Sequence, residues 1–442
     1  MGFFENTMMQ QMALEERQRL ERFAAAWAAY YGRGPKPLKI KPGKPDDNVQ
    51  ANRLRVIVNK GVTALVGKGM TWDYGTDENA QAYLDAVWKA SRRSRTLKTC
   101  VLNGAVCGHT FVKIAPQLAG VPRIIVLDPA TVTPYWAKDD VNSVRKYRIQ
   151  WNDVEDSGRP IIRRQVIEQL GPAEWLITDS ESRPDSPTWT VTATTPWLYP
   201  FAPIVDCQNL PAPNEFWGLS DIESDVIGLQ RSIDFTLSNI QRIIRYHAHP
   251  KTWGKGFNAT ELRVAADETI VLPNATAELH NLEMTSDLGS SLELYKRLKE
   301  AIHDITQVPE VATGKLDSTG PVSGVALQVL YQPLVEITEA KREEYGEMFL
   351  ELNRRLLILG NMQPSPGTLI WPDVIPEDIL AERQAALIDM QLGVSQDTIL
   401  QGLDYDPDAE AAKRDANGTD AADKLLTAMT RRPMQPMGVN GG

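Results

Sequence analysis

The residues able to do chemistry are few and scattered. Five histidines occur, at His109, His247, His249, His280 and His303. Only His247-Ala-His249 forms a close pair, and no cysteine or third histidine stands near it. That spacing suits a polar helix end, where imidazole complements the C-terminal dipole, better than a metal site. Gly218-Leu-Ser220-Asp221 lacks the second glycine of G-x-S-x-G, so Ser220 reads as a helix cap, not a nucleophile. Gly67-Lys-Gly69 and Gly254-Lys-Gly256 do not match the phosphate loop G-x-x-x-x-G-K-[ST]. An NTP-driven motor would therefore have to be a separate partner. Cys100, Cys107 and Cys207 show neither CxxC spacing nor histidine partners, and read as reduced, buried thiols of a cytosolic assembly environment. Glu343 and Glu344 read as a solvated helix face. No catalytic, metal-binding or cofactor-binding residue is assigned, and no cofactor is expected.

Charge narrows the field further. The chain has 442 residues, a formal net charge of −10 and 42% hydrophobic residues. It is long enough for a sizeable core without disulfides. The acidic balance argues against gripping nucleic acid over a broad basic surface, because phosphate neutralisation needs clustered Lys and Arg. It is compatible with a conduit, whose wall must not stall the polymer. One stretch, Asp225 to Phe257, is locally basic: Arg231, Arg242, Arg245, Lys251 and Lys255 stand against Asp225 and Asp234. It reads either as salt-bridged surface or as contact with nucleic acid or an acidic partner. No apolar run reaches membrane-spanning length, and no signal pattern opens the chain.

The elements that must position these residues follow from periodicity. Helices are predicted at Met8–Tyr31, Asn48–Val66, Asn79–Ser91 and Arg95–Cys107, with a Pro/Lys-rich linker at Pro35–Pro45. His109–Ile114 alternates like a strand, and the pattern to Val205 is mostly β: Arg123–Leu127, Val144–Trp151, Ile161–Gln169, Glu174–Thr178 and Trp189–Thr194. A long helix is then predicted over Asp221–His247. Its apolar stripe is Val226, Leu229, Ile233, Leu237, Ile240 and Ile244, and Ser220 with Glu223 reads as a capping box. A second helix, Ser291–Thr306, carries Leu292, Tyr295, Leu298, Ile302 and Ile305, with Ser290 and Glu293 as its box. The longest helix, Ser323–Leu359, is expected to kink at Pro333. Leu369–Trp371 is predicted as a strand, helices follow at Pro376–Leu392 and near Ser395, and the tail from Arg431 reads as disordered.

Three landmarks in this order resemble the core of siphophage portal proteins. They are Asn209-Leu-Pro-Ala-Pro-Asn-Glu-Phe-Trp-Gly-Leu-Ser-Asp-Ile-Glu223 before the long helix, His249-Pro-Lys-Thr-Trp-Gly-Lys-Gly256 after it, and Val308-Pro-Glu310 followed by Ser323-Gly-Val-Ala-Leu327. Asn52-Arg-Leu-Arg-Val-Ile-Val58 is similar to the family's N-terminal wing helix. The resemblance implies an α+β, mainly helical portal fold, an elongated subunit of a cyclic homo-oligomer, typically of about twelve copies. It implies an N-terminal helix and linker at 1–47, a wing at 48–220, a stem helix at 221–247, a clip at 248–283 and a second stem helix at 284–307. A tunnel loop at 308–322, a long kinked wing helix with its strand at 323–375, a crown at 376–430 and a disordered tail at 431–442 complete the expected layout.

By the same resemblance, Lys315, Leu316, Asp317, Ser318 and Thr319 would face double-stranded DNA in the channel, and Lys251, Trp253 and Lys255 would bind partners at the clip. Those partners would be the large terminase, head-completion or adaptor proteins, and the major capsid and scaffolding proteins, with no membrane. The protein would sit at the portal vertex of the virion after assembly in the host cytoplasm. The sequence leaves two other readings: a different virion structural or head–tail adaptor protein, and an unrecognised enzyme of nucleic-acid metabolism. The first is usually shorter and lacks paired stem helices. The second lacks a nucleotide loop and has sparse histidines.

Overall fold

The helical and alternating periods of the sequence separate into helical layers, antiparallel sheets of three and five strands, and two two-stranded pairs among the described residues. The structure, a computed structural model, describes residues 3–67, 69–117, 120–185, 188–248, 252–256, 276–281, 288–314, 324–375, 379–403 and 405–413. They fall into two units: one holds 1–319 and 329–374, the other 320–328 and 375–442.

In the first unit, helices α1 (Phe3–Tyr30), α2 (Leu54–Val66), α3 (Glu78–Ala90) and α4 (Arg93–Cys107) precede strand β2 (His109–Ala115). The short β1 (Thr71–Asp73) lies between α2 and α3 and pairs with the distant β12 (Thr368–Ile370). Strand β2 pairs on both edges, with β3 (Arg123–Leu127) and β9 (Ile204–Gln208). A five-stranded meander inserts between β3 and β9. It comprises β4 (Val132–Trp136), β5 (Val144–Val154), β6 (Pro160–Gly171), β7 (Glu174–Ser182) and β8 (Thr190–Trp197) in sequence order. Sequential antiparallel strands need only short turns, which explains the turn clusters between the runs. Helix α5 (Ser224–Ala248) packs against α6 (Gly289–Thr306); between them in sequence, β10 (Thr252–Lys255) pairs with β11 (Glu278–Asn281). Helix α7 (Gly324–Leu359) runs unbroken through Pro333. Proline supplies no N–H, so the carbonyl of Val329 loses its intrahelical partner there. In the second unit, α8 (Ile379–Gln391) is followed by α9 (Gln396–Gly402), which Ser395 caps by accepting from the Thr398 amide.

One core joins α1 to α5 and the middle of α7. Phe23, Leu54, Leu65, Trp88, Leu97, Tyr345, Phe349 and Leu352 are all essentially inaccessible. Trp88 satisfies its indole N–H on Asn353 Oδ1 at 2.8 Å, which is why a fully buried asparagine is tolerated in α7. A second core beneath the meander gathers Phe111, Tyr147, Ile167, Trp175, Trp197 and Phe216. The tryptophans of the β region thus serve cross-strand packing, as Trp175 does opposite Trp197.

The sequence-based element order holds, with four departures. Strands β1, β4 and β9 escape the pattern because three to five residues are too few to establish a period. The helix expected from Asn48 begins only at Leu54, because residues 49–53 are held extended along α5. The amides of Val49, Ala51 and Arg53 donate to Ser238 Oγ, Asp234 Oδ1 and Gln230 Oε1 at 2.9, 2.9 and 3.2 Å. Two extended residues advance about 6.7 Å and four helical residues about 6.0 Å, so alternate amides meet every fourth helix side chain. Ser290 does not cap α6, which starts at Gly289 after Leu288 with no side-chain cap. Around Ser220, half of the expected box forms: Glu223 Oε1 accepts from the Ser220 amide at 2.8 Å, but the helix proper begins at Ser224. The Ser220 hydroxyl instead donates toward the carbonyls of Ala105 and Val106, tying the loop to α4.

Candidate functional site

The first landmark, Asn209 to Glu223, contains a buried joint built on Asn209, Gly218 and Asp221. Asp221 accepts from Lys341 Nζ on α7 with both carboxylate oxygens, at 2.6 and 2.7 Å. The two side chains are only 9% and 4% exposed. Asn209 donates to Asp221 Oδ1 at 2.8 Å and to the Leu219 carbonyl at 3.1 Å, and it accepts the hydroxyl of Tyr345 at 3.2 Å. Its amide donates to the Gly108 carbonyl at 2.9 Å. Gly218 is required by close approach: a Cβ there would lie 2.6 Å from the Gly108 carbonyl oxygen and 2.7 Å from that of Leu210. The joint therefore fastens the end of α4, the start of α5 and the middle of α7 together. Lys341 was not singled out from sequence, yet a signal existed. It stands four residues after Ile337 and four before Tyr345, within the apolar stripe of α7, where an ammonium needs a buried partner.

The basic residues around α5 resolve largely into internal pairs. Arg245 makes a bidentate contact with Asp47 at 2.6 and 2.7 Å, and Arg242 lies 3.5 Å from the same carboxylate, which is 4% exposed. Lys255 pairs with Glu278 at 2.9 Å across the β10–β11 hairpin. Arg231 stays exposed. Salt-bridged surface thus accounts for most of the local positive charge.

The β10–β11 hairpin carries two of the three residues expected to bind partners. Trp253 is 47% exposed and stacks on His280, with ring centroids 5.1 Å apart. Lys255 and His280 converge on Glu278, whose carboxyl is held below its usual range by hydrogen bonds from Lys255 and then His280. Lys251 lies outside the described residues, as do Lys315, Leu316, Asp317, Ser318 and Thr319.

The other candidate groups sort by burial. Cys100, Cys107 and Cys207 are free and buried, and burial pushes the Cys100 and Cys107 thiols up to about 12. His303 bonds the Val308 carbonyl at 2.7 Å, and His109 bonds Asp206 at 3.0 Å. The His247 side chain and all of His249 fall outside what is described. Among the described residues, no group of three His, Cys, Asp or Glu is arranged to hold a metal, and no helix is long and apolar enough to cross a membrane.

Helices α5 and α6 bury only part of their apolar surface. Val226, Ile233, Ile240 and Ile302 are covered, whereas Phe235, Ile244, Leu292, Leu294 and Ile305 stay roughly half exposed. Arg53, at the start of α2, donates to the Tyr295 hydroxyl on α6 at 2.7 Å and helps hold the pair in place.

The arrangement on the page is a pair of packed helices, α5 and α6, with the small β10–β11 sheet between them in sequence, tied to the helical core through Arg53 and the Asp221–Lys341 joint. Residues 13–162 and 196–424 match the family described as phage portal protein, SPP1 Gp6-like. The chain belongs to that family: it is a portal protein of a tailed phage-like particle. Similar solved chains occur in the neck of an empty gene transfer agent (GTA) particle computed with C6 symmetry, at 14% identity and TM-score 0.49, covering 80% of this chain and 90% of that one. Another comes from the virion of the native GTA particle, at 14% identity and TM-score 0.45, covering 80% and 89%. A third, from the native neck computed with C12 symmetry, shows 13% identity and TM-score 0.46, covering 80% and 89%. No curated protein matches the sequence significantly.

Proposed function

We propose that about twelve copies of this chain close into a ring at a capsid vertex and conduct double-stranded DNA through its bore during packaging and ejection. The observation that carries the reading is the apolar surface left on α5 and α6 after they have packed on each other. Phe235, Leu292, Leu294 and Ile305 are too many bulky side chains to leave wet on paired helices of a lone subunit. A neighbouring copy presenting a different face would cover them, and repetition of that heterologous contact closes a ring.

In this reading α5 and α6 form the stem and the β10–β11 hairpin the clip. Trp253, exposed and stacked on His280, is the clip anchor, and Lys251 and Lys255, two residues to either side of it in sequence, would answer acidic groups of terminase or head-completion proteins. Residues 308–322 are the tunnel loop in this reading, with 315–319 as its DNA-facing part and Lys315 the cation for phosphate. Helix α7 belongs to the wing, whose outer surface would meet capsid and scaffolding proteins, and α8 and α9 belong to the crown. The subunit supplies no motor chemistry; packaging work falls to the terminase.

Native mass spectrometry of the purified full chain tests this. A closed oligomer of about twelve subunit masses is expected, with annular particles in negative stain. A stable monomer at micromolar concentration and physiological salt would sink the reading. Deleting residues 315–319 should leave the ring intact and impair DNA packaging or retention.

A further inference from the structure

A cleft of about 900 Å³ opens between the C-terminal half of α7, strand β9 and the turns that join β4 to β5 and β6 to β7. Its wall holds more carboxylates than cations. Arg354 and Arg355 are both engaged by Glu351 at 2.6 Å, and Arg355 also donates to the Ala202 and Ile204 carbonyls. Asp206 accepts from Tyr147 at 2.7 Å and from His109 at 3.0 Å. That leaves Glu215 and, one turn apart on α7, Glu344 and Glu347, with no Lys or Arg within ion-pair distance among the described residues. Burial, followed by the charges of Glu347 and Glu343, holds the Glu344 carboxyl above its usual range.

A second observation marks the same cleft. His109 Nδ1 and Trp175 Nε1 are buried with no hydrogen-bond partner, and both residues line the wall while being only 2% and 7% exposed. Unpaired buried polar groups cost about 1–3 kcal/mol each. Two in one wall, beside three carboxylates without a cation, make this a polar and incompletely paired face of the isolated subunit.

The complementary surface is on this same chain. Arg92, Arg95 and Lys98 follow one another at three-residue steps, so they point to one side at the start of α4. All three are exposed, and none has a carboxylate within ion-pair distance among the described residues. The position is unfavourable by itself, since a helix N-terminus repels cations. Arg92 additionally adopts a left-handed φ of 55°. Helix α4 is 15 residues long, about 22 Å. Its far end leads through Gly108 to His109 in the cleft wall. A positive corner and a negative cleft therefore lie at opposite ends of one rigid element.

We propose that the acidic cleft of one copy receives the Arg92–Arg95–Lys98 corner of the next copy. Two different patches on one chain can pair only head to tail, and such a contact repeats around a cyclic assembly. Guanidinium groups suit the site because they donate to carboxylates bidentately and tolerate aromatic neighbours such as Trp175. The inference rests on the ring reading above and specifies one of its contacts.

The full-length protein carries the test. Arg95→Cys and Glu347→Cys are introduced together and separately, and assembled protein is treated with a short bismaleimide. The native cysteines are buried with strongly raised thiol pKa values, and because Cys207 lines the cleft all variants are made on Cys207→Ser, so the reagent meets only the introduced pair. A ladder of covalent multimers is expected from the double variant and from neither single one.

In parallel, Glu344→Lys with Glu347→Lys makes one variant, and Arg92→Glu, Arg95→Glu and Lys98→Glu make another. Each should raise the concentration needed for half-assembly by about tenfold or more, equal to ~1.4 kcal/mol per tenfold. Mixing the two should restore rings, because each altered surface then meets its complement in alternating copies. Rings that form without cross-links, or reversals that leave assembly unchanged, overturn this contact alone. So does a mixture that fails to assemble although both variants keep the wild-type melting temperature. Rings that survive the arginine reversals but lose affinity for double-stranded DNA overturn it in favour of a phosphate contact. A wild-type protein that stays monomeric overturns both this contact and the ring.

Discussion

Removing Lys341 isolates the energetic role of the joint. Its ammonium contacts both oxygens of Asp221 at 2.6 and 2.7 Å, with both side chains nearly inaccessible. At that separation two unit charges attract by roughly 6 kcal/mol for an effective dielectric of ~20. Desolvating each ion costs several kcal/mol, so the pair as a whole contributes little net stability over a well-packed apolar pair. The asymmetry lies in breaking it. In Lys341→Met, Asp221 keeps a single side-chain donor, Asn209, and a carboxylate stays buried without its counter-ion. The expected loss is about 3–5 kcal/mol. Asp221→Asn in the Lys341→Met background removes the stranded charge and keeps an oxygen for Asn209, so it should recover most of that loss. Urea unfolding of the two single variants and the double one yields the coupling energy directly. A Lys341→Met protein within about 1 kcal/mol of wild type, or single effects that simply add, would refute the claim that a buried ion pair fastens α7 to the start of α5.

Three further outcomes are expected. Gly218→Ala forces a Cβ to within 2.6–2.7 Å of two carbonyl oxygens and should destabilise by about 1–3 kcal/mol, read as a lower urea midpoint with unchanged slope. Cys100, Cys107 and Cys207 should resist an alkylating reagent at pH 8 in the folded protein and react within minutes in denaturant; rapid native labelling of any of them would contradict their burial. The Asp46 carboxyl is pulled down to about 2, first by the hydrogen bond from Lys36 and then by the Asn48 backbone and side chain. Because its folded value is depressed, its tether of the linker is fully present above the ordinary carboxylate pKa and is lost as pH falls toward 2. Linker proteolysis should therefore rise only below pH 4, and an Asp46→Asn variant should lose that pH dependence.

Much of the fold follows from local rules that a sequence carries by itself. The apolar stripe of α5 appears at three- and four-residue steps, and Val226, Ile233 and Ile240 are indeed the covered residues. Glu223 reaches back to the Ser220 amide as its spacing foretold. Strands β5 to β8 are visible as short runs between clusters of turn residues, a pattern read over a few neighbouring residues. The cysteines were legible as inert because nothing near them in sequence could activate or pair them.

Tertiary structure decided the rest, because the deciding partners lie far apart along the chain. Residues 49–53 have helix-compatible sequence, yet Gln230, Asp234 and Ser238, about 180 residues away, offer acceptors at the spacing of an extended strand and hold them out of α2. Arg242 and Arg245 looked available to phosphate until Asp47 was found beneath them. Lys341 interrupts an apolar stripe in the sequence, but only the folded chain shows that Asp221 is its buried partner. Period and capping are read over a few residues, and so they are written locally. Which charge meets which, and which is left without a partner in the cleft under α7, depends on how distant segments pack, and only the folded chain fixes that.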